Sequence, residues 1–136
     1  MGPRPQHILV VDDSQDMRQM WRVWLTYWGF SVDEAANGAE AIRQARLRRP
    51  DLVLMDLWMP VVDGFTATAR LKAEPATADV PVLALSAGVF PPTPDRAKGA
   101  GCDAFIEKPV DPDDLLEHLR QAFRGLRKPA STAGPG

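Results

Sequence analysis

The chain has 136 residues, 45% of them hydrophobic and 25% charged, with a formal net charge of −2 and a pI near 5.6. That length suggests one domain with a normal apolar core. The mild acidity supplies no global basic field for nucleic acid, no apolar run approaches a membrane span, and the opening MGPRPQH lacks the apolar stretch of a signal peptide. The lone Cys102 cannot form an internal disulfide, which fits a reducing cytoplasm and a small core residue.

Short runs rich in Val, Leu and Ile alternate with segments of helical periodicity. The first strand is ILVV (8–11). A helix then starts with Ser14 as N-cap and ends before Gly29. FSV (30–32) is a weaker strand, followed by a helix from about Ala39 to Arg48 whose arginines sit at the favourable end of its dipole. LVLM (52–55) is the third strand, with a helix over about Phe65–Ala73 behind an Asp63-Gly64 cap and turn. VPVLAL (80–85) is the fourth strand, and a short helix near Pro94–Ala100 follows. AFI (104–106) leads to a last helix over Pro112–Phe123, with Leu115, Leu116, Leu119 and Phe123 on one face. The alternation predicts an α/β fold, a parallel sheet with helices on both faces. Residues 1–6 are expected to be a flexible N-terminus, 7–124 the folded domain, and 125–136 a disordered tail rich in Gly, Pro and small residues.

Charged or polar residues close these strands: Asp12 and Asp13 after the first, Asp56 after the third, Ser86 after the fourth, Lys108 then Pro109 after the fifth. Open α/β sheets bind ligands beyond the carboxyl ends of their strands. Clustered carboxylates repel one another, and a divalent cation removes that conflict. Hard oxygen donors favour Mg²⁺ over zinc. With a lysine and a hydroxyl added, the set suits a phosphoryl group, and Asp56 is the natural acceptor of an acyl phosphate.

The motifs VVDD (10–13), LVLMDLWMPVVDG (52–64), LALSA (83–87) and AFIEKP (104–109), in this order, resemble the receiver domains of two-component response regulators over residues 7–124. The resemblance implies a (βα)5 doubly wound, flavodoxin-like, three-layer sandwich with strand order 2-1-3-4-5. It implies Asp56 as phosphoacceptor and a Mg²⁺ (or Mn²⁺) ion held by Asp13, by Asp12 largely through water, by Asp56 and by the backbone carbonyl of Trp58. Ser86 resembles the switch hydroxyl, Lys108 the lysine that pairs with the phosphoryl group, Phe105 the switch aromatic, and Pro109 a cis-proline. The implied donor is a phosphohistidine of a sensor histidine kinase or a histidine phosphotransfer protein. The implied output is a switched interaction with another protein, by a stand-alone regulator that is not a turnover enzyme. Two other readings are a binding-only pseudo-receiver and a phosphatase of the haloacid-dehalogenase type. The latter normally has a second Asp where Trp58 stands.

Other features have blander readings. Met17, Trp21, Trp24, Leu25 and Trp28 form a helix stripe expected to face the core. Val23 and Tyr27 should point away from it, and the resemblance implies that this helix meets the histidine-containing partner, so the pair is expected to be part of that docking face. His7 and His118 are expected to be solvated, as are the arginines near residue 46 and the cluster Arg124, Arg127, Lys128. Two departures from the family stand out. Trp58, beside the pocket, is expected to restrict water and lengthen the life of the acyl phosphate. GVFPPTP (88–94) is expected to stiffen the loop before the fourth helix and shorten that helix.

Overall fold

The computed structural model describes residues 6–57, 59, 62–86, 98–108 and 110–126, with side chains described through residue 123. The elements are β1 (His7–Val11), α1 (Gln15–Tyr27), β2 (Ser31–Ala35), α2 (Gly38–Leu47), β3 (Leu52–Asp56), α3 (Gly64–Ala73) and β4 (Val82–Ser86). Residues 98–100 are helical and are labelled α4; β5 (Ala104–Glu107) and α5 (Pro112–Leu126) complete the chain. The strands form one parallel sheet of five, in the order β2-β1-β3-β4-β5. This is the doubly wound, flavodoxin-like order expected.

Alternation along the strands builds two apolar layers. Leu9, Val11, Val53, Met55, Val82 and Ala84 join a cluster with α2 and α3. Ile8, Val10, Leu52, Leu54, Leu83 and Leu85 join one with α1 and α5. Both faces are covered, so the central strands are buried throughout.

Local chemistry sets the helix ends. Ser14 accepts from the Met17 N–H, Asn37 from Glu40 and Asp63 from Thr66, each as N-cap. At the end of α1, Phe30 N donates to Leu25 O and Gly29 N to Thr26 O, around Gly29 at φ 96°. This paired closure needs a left-handed residue, which glycine supplies without a Cβ penalty.

Two expectations change. Trp21 and Leu25 are buried and Met17 and Trp28 half-buried against the same cluster, but Trp24 is 36% exposed. Position 24 is one residue off the 17-21-25-28 stripe, about 100° around the helix, and Trp24 packs on Trp28 and Tyr27 instead. His7, expected to be solvated, is only 6% exposed. It begins a strand flanked on both sides, opposite Ser31. Its ring nitrogens contact Ser31 Oγ at 2.7 Å and Asp33 Oδ2 at 2.8 Å, and its N–H donates to Asp51.

The arginines near residue 46 are exposed, and Arg46 pairs with Glu74. Cys102 packs partly buried against the α2/α3 layer, and burial pushes its thiol pKa up. A polar knot ties the lower edge of β4 and β5. Lys72 Nζ donates to Val80 O at 2.8 Å and pairs with Asp103 at 2.9 Å, while Asp103 also accepts from Val82 N. The expectations for the 88–94 segment and for Arg127 and Lys128 fall outside the described residues, as does the side chain of Arg124.

Replacing His7 with Leu removes both ring contacts from a buried position. The stability loss expected in urea denaturation is about 1–3 kcal/mol.

Candidate functional site

β1 and β3 are neighbours, and the chain crosses from one side of β1 to the other between β2 and β3. The carboxyl ends of β1 and β3 therefore open on a switch point of the sheet. Asp12 and Asp13 follow β1, and Asp56 closes β3. One carboxylate oxygen from each of the three lies within 4.8 Å of the others. Asp12 and Asp56 are buried, and Asp13 is exposed at the mouth.

Lys108 reaches in from beyond β5. Its Nζ lies 3.2 Å from Asp12 Oδ2 and 3.9 Å from Asp56 Oδ1. Three carboxylates against one ammonium leave two formal negative charges, which one divalent cation would balance. Opposed ligands of a Mg²⁺ ion are about 4 Å apart, so a triad within 4.8 Å fits a partly hydrated ion with little movement. All the side-chain donors are hard oxygens, the set Mg²⁺ prefers.

Ser86, fully buried, ends β4 one residue beyond the partner of Asp56 in the β3–β4 register. Its carbonyl accepts from the Lys108 N–H at 2.6 Å, so the ends of β4 and β5 are joined at the cup. Phe105 is half-buried on β5, opposite Ala84 and against the α2/α3 layer. Thus Asp12, Asp13, Asp56 and Lys108 converge, with Ser86 on the adjoining strand end and Phe105 further down β5. Trp58 and Pro109 lie outside the described residues.

A family model described as the response regulator receiver domain matches residues 8–120. The chain is a response regulator receiver domain. It is 31% identical over 116 residues to the polar-differentiation response regulator DivK of Brucella anthropi, covering 85% of this chain and 94% of DivK. It is 40% identical over 133 residues to the response regulator Rre1 of Synechocystis, covering 96% of this chain and 56% of Rre1. Apart from DivK, the receiver spans about half the length of the curated relatives it matches. Among solved structures, the receiver domain of a sensor histidine kinase from Pseudomonas aeruginosa superposes with a TM-score of 0.80 at 31% identity, covering 86% of this chain and 96% of that one. That neighbour holds a magnesium ion coordinated in its active site cleft. The acidic triad here is of the type that binds Mg²⁺ in receivers, which are phosphoacceptor modules of two-component signalling and not conventional turnover enzymes. No helix among the described residues is long and apolar enough to cross a membrane.

Sequence reasoning missed what supports this receiver's cup. The carboxylate of Asp12 accepts from the Ser14 N–H at 2.9 Å, its own N–H donates to Ala35 O at 3.1 Å, and its carbonyl accepts from Arg18 Nη1 at 2.8 Å. Arg18 and Arg22 both pair with Glu34 on β2. Burial works to raise the Glu34 pKa, but Arg22 and Arg18 outweigh it, and the group lies below its ordinary value. Glu34 is distant in the chain from both arginines, so only the β1–β2 pairing could have signalled those two pairs.

Gly64 was read as part of a cap and turn, and its role is tighter. A Cβ there would sit 2.3 Å from the Asp56 carbonyl oxygen and 2.7 Å from Leu57 Cα. Its N–H donates to Leu57 O at 3.1 Å. The start of α3 is thus pressed against the backbone that carries Asp56. Gly64→Ala is expected to cost about 1–3 kcal/mol in denaturant titrations through overpacking, and to weaken Mg²⁺ binding by displacing Asp56.

Proposed function

We propose that Asp56 accepts a phosphoryl group from a phosphohistidine of a sensor histidine kinase or phosphotransfer protein, and that the resulting acyl phosphate switches binding to another protein. The observation that carries this reading is the ammonium of Lys108 facing both Asp12 and Asp56 inside the triad. An Asp56 carboxylate oxygen attacks phosphorus, the P–N bond breaks, and its electron pair returns to the donor imidazole. The new O–P bond leaves the phosphoryl group as an aspartyl phosphate. Lys108 moves from its carboxylate partners to the incoming phosphoryl oxygens, a charge-assisted contact. Ser86 turns its hydroxyl to the same group, and Phe105 follows on β5. Asp13, Asp12 through water, Asp56 and the Trp58 carbonyl would hold Mg²⁺, which neutralises phosphoryl charge when bound.

The likeness to DivK over nearly its full length supports a response regulator built on a receiver alone.

Incubation with acetyl phosphate and Mg²⁺ should raise the intact mass by one phosphoryl group. Asp56→Ala or a chelator should abolish the gain. A pseudo-receiver takes up nothing, and a phosphatase releases phosphate over many turnovers.

The donor surface is read from α1. Val23 and Tyr27 are 66% and 80% exposed. With Met20 and Trp24 they form an outward apolar stripe at 20-23-24-27, the spacing that seats a partner helix. Changing Val23 and Tyr27 to Ser should slow transfer from the cognate kinase by roughly tenfold, the loss of an ordinary interface anchor. Phosphorylation by acetyl phosphate should not change, and equal rates from the kinase would rule the surface out.

A further inference from the structure

The acidic triad explains which groups meet, but not what keeps Asp13 in place. Asp13 is exposed and lies on the turn between β1 and α1. Its backbone is attached to Asp12 by a planar peptide whose oxygen is the Asp12 carbonyl. Fixing that oxygen fixes the plane from which Asp13 projects. Arg18 Nη1 donates to it at 2.8 Å, and Arg18 Nε donates to Glu34 Oε1 at 3.1 Å. The Arg18 side chain is largely buried and holds a carbonyl and a carboxylate at once through two different nitrogens, whose directions the planar fork fixes relative to each other.

We propose that Arg18 is a positioning residue of the acidic cup: it locks the Asp12–Asp13 peptide so that the Asp13 carboxylate faces Asp56, and Glu34 holds the guanidinium in that pose. This rests on the reading of the cup as a metal site. Arg18 touches no substrate or ion. It acts through the peptide, as outer-shell partners orient metal ligands elsewhere. Arg22 makes the contrast, since it pairs with the same Glu34 but is more exposed and makes no bond to the β1–α1 turn among the described residues.

The test measures Mn²⁺ affinity by the paramagnetic resonance signal of the free ion, with Mg²⁺ as competitor, on the unphosphorylated chain. Thermal midpoints are recorded alongside. Arg18→Met should weaken Mn²⁺ binding by about tenfold, the usual scale for losing an outer-shell partner. Glu34→Gln should weaken it less. Arg22→Met should lower the thermal midpoint with the metal affinity unchanged. Should Arg18→Met fail to fold, Arg18→Lys replaces it and should recover only part of the wild-type affinity. An Arg18→Met protein that loses thermal stability but binds Mn²⁺ like wild type overturns the proposal, as does an Arg18→Lys protein of full affinity. A wild-type chain that binds no Mn²⁺ would bring down the metal-site reading as well, so the two failures are distinct.

Discussion

Two buried carboxylates, Asp12 and Asp56, are forced together by the pairing of β1 with β3. Burying one such charge is costly unless it is paired and hydrogen-bonded, and burying two side by side is costlier. The surrounding arrangement answers that conflict. Lys108 supplies the nearest countercharge, and the Ser14 N–H supplies a donor. Burial of Asp12 and Asp56 strengthens these contacts, since charges held away from water are screened less. The site still carries excess negative charge, which a divalent ion would balance.

The same packing explains how the cup communicates with the rest of the sheet. Lys108 is bonded through its N–H to the carbonyl of Ser86. The lysine of the cup and the buried serine beside it therefore share a backbone link between β4 and β5. Helix α1 has two jobs for a related reason. Its 17-21-25-28 face closes the core, its Arg18 braces the acidic turn, and its 20-23-24-27 face is left to solvent.

Much of this was legible in the chain. Apolar runs ending in Asp12-Asp13, Asp56, Ser86 and Lys108 announce strands that point at a common edge, because parallel strands present their carboxyl ends together. The strand order came from resemblance to receivers and not from periodicity. Trp24 was misplaced because three tryptophans look like one stripe until the helical angle is counted. His7 looked like a solvated end, since its partners Ser31, Asp33 and Asp51 lie on other segments and carry no local signal. Arg18 and Glu34 were hidden for the same reason. A sequence shows a charge readily, but it does not show which distant charge that residue will meet.

The knot at Lys72 and Asp103 has a mechanical result. It anchors β5 at its amino end, where Asp103 exchanges hydrogen bonds with Val82 and receives the Lys72 ammonium. The strand is short, and Lys108 lies just past its far end. With its foot tied to Val82 and its tip to the Ser86 carbonyl, β5 is fastened to β4 at both ends, and the freedom left beside the cup lies in the four-carbon stem of Lys108.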